Sequence, residues 1–165
     1  MKLVQASLAA VVLGLLSPGA FAADAPVPPN YAAAFLGTTV AYRPPGGPLS
    51  GFQNDATGLL GLGRYVASTV ALELDFGPTF VEGEYASFGL VPGLVWSLSP
   101  RVYAAARFLV VVDPEVDLAL FPGVGVVHTF SNGISPLVEV NLASFVTRGR
   151  PDFGVAVTVG VLFAF

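Results

Sequence analysis

Residues Asp152–Phe165 read DFGVAVTVGVLFAF, and their period decides the fold. One alternate set is Phe153, Val155, Val157, Val159, Val161, Phe163 and Phe165. The other is Asp152, Gly154, Ala156, Thr158, Gly160, Leu162 and Ala164. The first set is large and apolar throughout; the second is mostly small or polar. Successive side chains of a strand point to opposite faces, so this alternation describes a strand between two unlike surroundings. Apolar outside with small or polar inside is the pattern of a barrel strand embedded in lipid.

The same reading extends upstream. Tyr31–Tyr42 places Ala34, Leu36, Val40 and Tyr42 on one face, and Ala56–Tyr65 is a glycine-rich strand of ambiguous phase. Thr69–Phe76 sets Val70, Leu72, Leu74 and Phe76 outward against Ala71, Glu73 and Asp75. Ser87–Leu98 turns Phe88, Leu90, Leu94 and Trp96 outward; Arg101–Val112 turns Phe108, Val110 and Val112 outward, with Tyr103 and Arg107 inward. Val116–Phe130 and Ile134–Phe145 complete eight strands. A tilted strand needs about 9–11 residues to cross a bilayer. Pro92, Pro122 and Pro136 fall inside strands, where a missing ladder donor marks a bulge or weakens the assignment.

The connections have two expected sizes. Val66–Ser68, Leu98–Pro100 and Ser131–Gly133 are tight, and Asn132-Gly133 is a strong hairpin signal. Arg43–Asp55, Gly77–Ala86 and Val146–Pro151 are expected as longer polar loops, with Asp113–Glu115 a short one on the same side. Short turns on the periplasmic side and longer loops outside are how such barrels sit, which puts both termini in the periplasm.

Composition agrees. The chain is 54% hydrophobic and 11% charged, too few charges to clothe an ordinary soluble surface. Yet no run of 18 apolar residues follows residue 23, so no spanning helix is available. Lys2 is the only lysine, and beyond residue 22 six Arg face eleven acids, a poor surface for nucleic acid. No cysteine is present, which excludes disulfides and thiolate metal sites. Lys2, the apolar run Ser7–Leu16 and the small-x-small motif Ala20-Phe21-Ala22 predict a signal peptide over residues 1–22. A Pro-rich extended leader over 23–30 and a barrel over 31–165 follow.

In hydrocarbon every backbone N–H and C=O needs a partner, so strands that cross must close on themselves. Eight strands enclose a space that side chains just fill. The expected fold is therefore all-β, an eight-stranded antiparallel up-and-down transmembrane β-barrel with a filled lumen. Glu73, Asp75, Arg107 and Glu139 face that lumen, and burial requires Arg107 to pair with Glu73, Glu139 or both. Tyr42, Phe88, Trp96 and Phe130 fall on the outer phase near the two ends, as an aromatic girdle would.

The chain resembles the small outer-membrane β-barrels of the outer-membrane protein A/X and opacity type over Tyr31–Phe165. The resemblance rests on the terminal strand ending in Phe165, on Gly61–Phe76 as a glycine-rich strand, turn and acidic strand, and on Ser131–Glu139 as a turn into a Glu-bearing strand. It implies that Val157, Val159, Val161, Phe163 and Phe165 are the signal read by the barrel-assembly machinery. It implies an outer-membrane address among lipid and lipopolysaccharide, and no single activity.

Catalytic chemistry has thin support. A related barrel, the lipid A deacylase, uses His, Ser and Glu; here the candidates are His128, Ser131 and Glu139. Its His-x-Ser spacing is missing because position 130 is Phe, and His128 is read as lipid-facing while Glu139 faces the lumen. Asp113, Glu115 and Asp117 are spaced like Ca²⁺ ligands but lack the glycine and glutamate of a calcium loop, and read as a solvated acidic loop. The expectation is a monomeric, non-enzymatic structural or surface-interaction protein without cofactor or metal. A narrow channel for small hydrophobic molecules and a lipid A-modifying enzyme are the alternatives.

Overall fold

The computed structural model describes residues 30–44, 46–145 and 152–165. The predicted signal peptide, the leader up to residue 29 and the loop residues Arg148 and Arg150 lie outside the described residues. Asn30, placed in the leader by its sequence, instead begins the first strand.

Nine strands are described: β1 (Asn30–Arg43), β2 (Asp55–Ala67), β3 (Val70–Val81), β4 (Glu84–Ser97), β5 (Val102–Asp113), β6 (Asp117–Leu120), β7 (Gly123–Val127), β8 (Ile134–Phe145) and β9 (Phe153–Ala164). Every pairing is antiparallel. The sheet closes on itself through β1–β9 and β4–β5, so it has no free long edge. At the seam Asn30 N–H donates to Phe165 O, and Phe165 N–H returns a bond to Asn30 O.

Nine strands occupy eight places in the ring, which corrects the expected single strand over Val116–Phe130. Its two pieces, β6 and β7, pair with the same neighbours, β5 and β8, in one continuous register. The break falls at Phe121-Pro122. Opposite it, Leu142 N–H donates to Pro122 O. Directly paired residues of this kind exchange two bonds, and proline has no N–H to return the second. Pro92 and Pro136 leave β4 and β8 unbroken.

The expected loop Gly77–Ala86 is also corrected. β3 and β4 run on as a ladder to Val81 and Glu84 and turn on Glu82 (φ 56°) and Gly83 (φ 87°). Two positive φ values suit the tight turns whose twist matches that of the strands. Gly77 and Pro78 read as loop formers in isolation, but Pro78 pairs with Phe88 within the ladder.

The radial arrangement is inverted relative to a water-soluble protein. Leu36 is 68% exposed and Leu60 57%, whereas Asp75 is 2% and Asn141 1% exposed. Leu62, Leu72, Leu74, Phe108, Val124, Val140 and Phe163 extend the apolar outer surface. Glu73, Arg107, Glu139, Ser135 and Thr158 are buried within the ring.

Candidate functional site in the lumen

Alternation within β3, β5 and β8 delivers Glu73, Asp75, Arg107 and Glu139 to one level inside the ring. Arg107 Nε and Nη2 donate to Glu73 Oε1 at 2.8 and 2.6 Å. Nη1 and Nη2 donate to Glu139 Oε1 and Oε2 at 2.5 and 3.2 Å. Asp75 Oδ2 lies 3.6 Å from Nε. One planar fork thus ties β5 to strands on both sides of the lumen, the geometry that favours guanidinium over ammonium. Tyr31, an inward residue the sequence reading did not single out, donates its hydroxyl to Glu73 Oε2 at 2.6 Å. Buried, hydrogen-bonded charges of this kind hold one another in place, and removing a partner strands the rest.

Glycines make the room. Tyr31 pairs directly with Gly63, Arg107 with Gly93 and Tyr103 with Gly125. A Cβ at any of these glycines would overlap the large side chain lying across it. Small residues opposite large ones let a narrow closed sheet fill its interior without strain. The ambiguous phase of Ala56–Tyr65 has this origin: its inward face includes Gly61 and Gly63, which bear no side chain to read.

The half of the lumen nearest the chain ends is filled by Tyr31, Phe35, Tyr103, Leu137 and the Arg107 cluster. The other half is not, which corrects the expected filled lumen. A cavity of about 410 Å³ lies there. Gly37 on β1, Leu59 on β2, Gly77 on β3, Leu109 on β5 and Ala143 on β8 line it, and it reaches the charged level at Val91 and Thr158, which pair with Asp75 and Glu139. The inward residues at this height are mostly Gly, Ala, Thr and Ser, too small to meet across the ring. Exposed Asn54 and Glu82 stand at its mouth. The β1–β2 connection is pinned to the rim, Gln53 N–H donating to Thr39 O at 3.0 Å and Glu82 N–H to Asn54 O at 2.7 Å.

Tyr42 belongs to this cavity and not to an outer girdle. Its register with β9 shifts between Thr39 and Ala41, leaving Val40 as an extra residue. A bulge of one residue exchanges the faces of everything beyond it. Tyr42 therefore lines the cavity, and its hydroxyl donates to buried Asp152 at 3.1 Å. The other three girdle candidates are spread over the ring: Trp96 pairs with Val70 and Ala104 near the short turns, half-exposed Phe130 leads into the turn before β8, and half-buried Phe88 pairs with Pro78 and Asp113. In the terminal strand Val161, Phe163 and Phe165 are exposed, Val157 and Val159 partly so.

The structure does not assemble the catalytic candidates. His128 stacks edge-on against Phe130, ring centroids 4.8 Å apart, while Glu139 is engaged by Arg107. The acidic trio is split as well: Asp113 accepts a bond from Tyr85, Glu115 is exposed and Asp117 is buried in β6. That burial corrects the solvated acidic loop for one of its three members. Among the described residues no group of three or more His, Cys, Asp and Glu could hold a metal.

No family model matches the chain, and no curated protein matches it. The solved structures that match the chain include two transmembrane β-barrel designs. One, from the de novo design of transmembrane β-barrels, aligns with a TM-score of 0.55 and 14% identity, over 84% of this chain and 97% of that one. The solution NMR structure of the de novo designed TMB2.3 aligns with a TM-score of 0.47 and 15% identity, over 84% and 95%. The first likeness shows the architecture: an all-β antiparallel ring of the transmembrane β-barrel type.

Proposed function

We propose that this protein is a monomeric outer-membrane β-barrel of a Gram-negative-type envelope, with its termini and the β2–β3, β4–β5 and β7–β8 turns in the periplasm. Its role is structural or surface-interacting, not enzymatic, and its neighbours are lipid and lipopolysaccharide. The barrel-assembly machinery reads Val157 to Phe165 on the way in. The inverted radial arrangement carries this reading. An outer surface of Leu, Val and Phe around a charged interior is costly in water and favourable in hydrocarbon. His128 packs on Phe130 and Glu139 is bonded to Arg107, which supports a reading without a hydrolytic triad, since a triad needs its members bonded to one another.

The chain lacks cysteine, so single thiols report its orientation cleanly. Cells carrying Glu84→Cys should react with a membrane-impermeant maleimide while intact. Cells carrying Ser68→Cys should react only after permeabilisation of the outer membrane. Labelling of both in the soluble periplasmic fraction would end the reading. Lipopolysaccharide from expressing cells should keep its full set of acyl chains by mass spectrometry.

A further inference from the structure

We propose that the luminal cavity is a blind binding cup for a small neutral amphipathic molecule, one with an apolar body and a hydroxyl or carbonyl handle. At about 410 Å³ it falls within the range of small-molecule sites. Its walls divide by chemistry. Leu59, Leu109 and Phe121 present apolar surface, while Thr57, Thr79 and Thr158 present hydroxyls. The Thr57 and Thr79 hydroxyls lie 3.0 Å apart and either can donate. Such a pair can re-orient to serve an incoming donor or acceptor.

Charge narrows the ligand further. Among the described residues no Lys, Arg or His lines the cup, and the acids that line it are Asp55 and Glu82, at the mouth. Asp55 is already engaged by the Thr38 and Thr39 hydroxyls at 2.9 and 2.6 Å and by the Thr39 N–H at 2.8 Å. Along the described lining an anion would meet two acids and no cationic side chain, a repulsive selection against its class. The inner end of the cup reaches Val91 and Thr158, the strand partners of Asp75 and Glu139, and beyond it the lumen is packed by the Arg107 cluster, Tyr31, Phe35 and Tyr103. Whatever enters leaves by the same mouth, so the cavity holds a molecule and does not conduct it. This rests on the closed ring and its wall chemistry, and stands apart from the membrane orientation proposed above.

The test uses the purified, isotope-labelled protein in phosphatidylcholine nanodiscs, with 2-naphthol as probe and naphthalene-2-sulfonate as its anionic counterpart. Titration with 2-naphthol should shift the amides of Thr57, Thr79, Leu109 and Thr158 in a saturable way, and the sulfonate should shift none of them. Thr79→Val, which keeps the shape and removes the hydroxyl, should weaken 2-naphthol by roughly fivefold. Ala156→Phe, which fills the cup, should abolish saturation. Shifts that never saturate, that fall on outward residues such as Leu60 and Leu72, or that match those from the sulfonate would overturn the proposal. So would unchanged affinity in Thr79→Val.

Discussion

At the scale of single residues, Arg107 is the hinge of the interior: one guanidinium against three buried carboxylates. Arg107→Ala should cost about 3–5 kcal/mol, read as a lower urea midpoint for the protein refolded in detergent, because it leaves Glu73, Asp75 and Glu139 together without a cation. Neutralising all three acids along with Arg107 should recover part of that loss, since the stranded charge and not the missing bond dominates. Gly63→Val should cost about 1–3 kcal/mol or more by driving into the Tyr31 ring, and Tyr31→Ala on the same chain should relieve much of it. Which residues face inward was legible in β3, β5, β8 and β9, because a period of two survives any uncertainty about neighbours. Tyr42 was misread because Val40, the bulged residue, has no distinguishing chemistry; only the ladder with β9 displays the extra position. The glycine–aromatic pairs were illegible for a related reason. They lie across strands, and a single strand's pattern carries no register with the next.

At the scale of elements, two local faults in the ring invite repair. Pro122 interrupts an otherwise continuous strand, leaving Leu142 without the returning bond of its pair. Pro122→Val should join β6 and β7, raise stability by about 1 kcal/mol and slow hydrogen exchange at the flanking amides; faster exchange there would contradict this account of the break. At the β3–β4 turn Glu82 holds φ 56°, a region that Asn tolerates better than Glu. Glu82→Asn should stabilise by up to about 1 kcal/mol, visible as a higher unfolding midpoint. The bounds of β8 were readable to the residue, since a hairpin turn opens it and alternation runs its length. The β3–β4 hairpin was not, because Gly77, Pro78 and Gly83 look like a loop until the opposing ladder supplies their hydrogen bonds.

At the scale of the whole molecule, the outward apolar belt sets the energetics. Leu60 lies near the middle of β2 on that belt, and Leu60→Arg should cost about 2–4 kcal/mol in vesicles, with a much smaller penalty for Arg placed at Leu49 in the β1–β2 connection. Equal penalties would mean that the belt does not face hydrocarbon. The emptiness of half the lumen was beyond the sequence reading, although the small inward residues that cause it, Thr57, Thr79, Ala156 and Thr158, were all in view. Volume across a ring depends on which small residues meet at one height, and that depends on the stagger of all the strands together.

The seam between β1 and β9 has a consequence for biogenesis. The first strand to leave the ribosome is the lateral neighbour of the last, so its outer flank stays unzipped until synthesis has passed β9. A nascent chain halted earlier is an open, sticky ribbon whose unpaired flanks invite pairing with other chains until the final strand arrives to shut the gate.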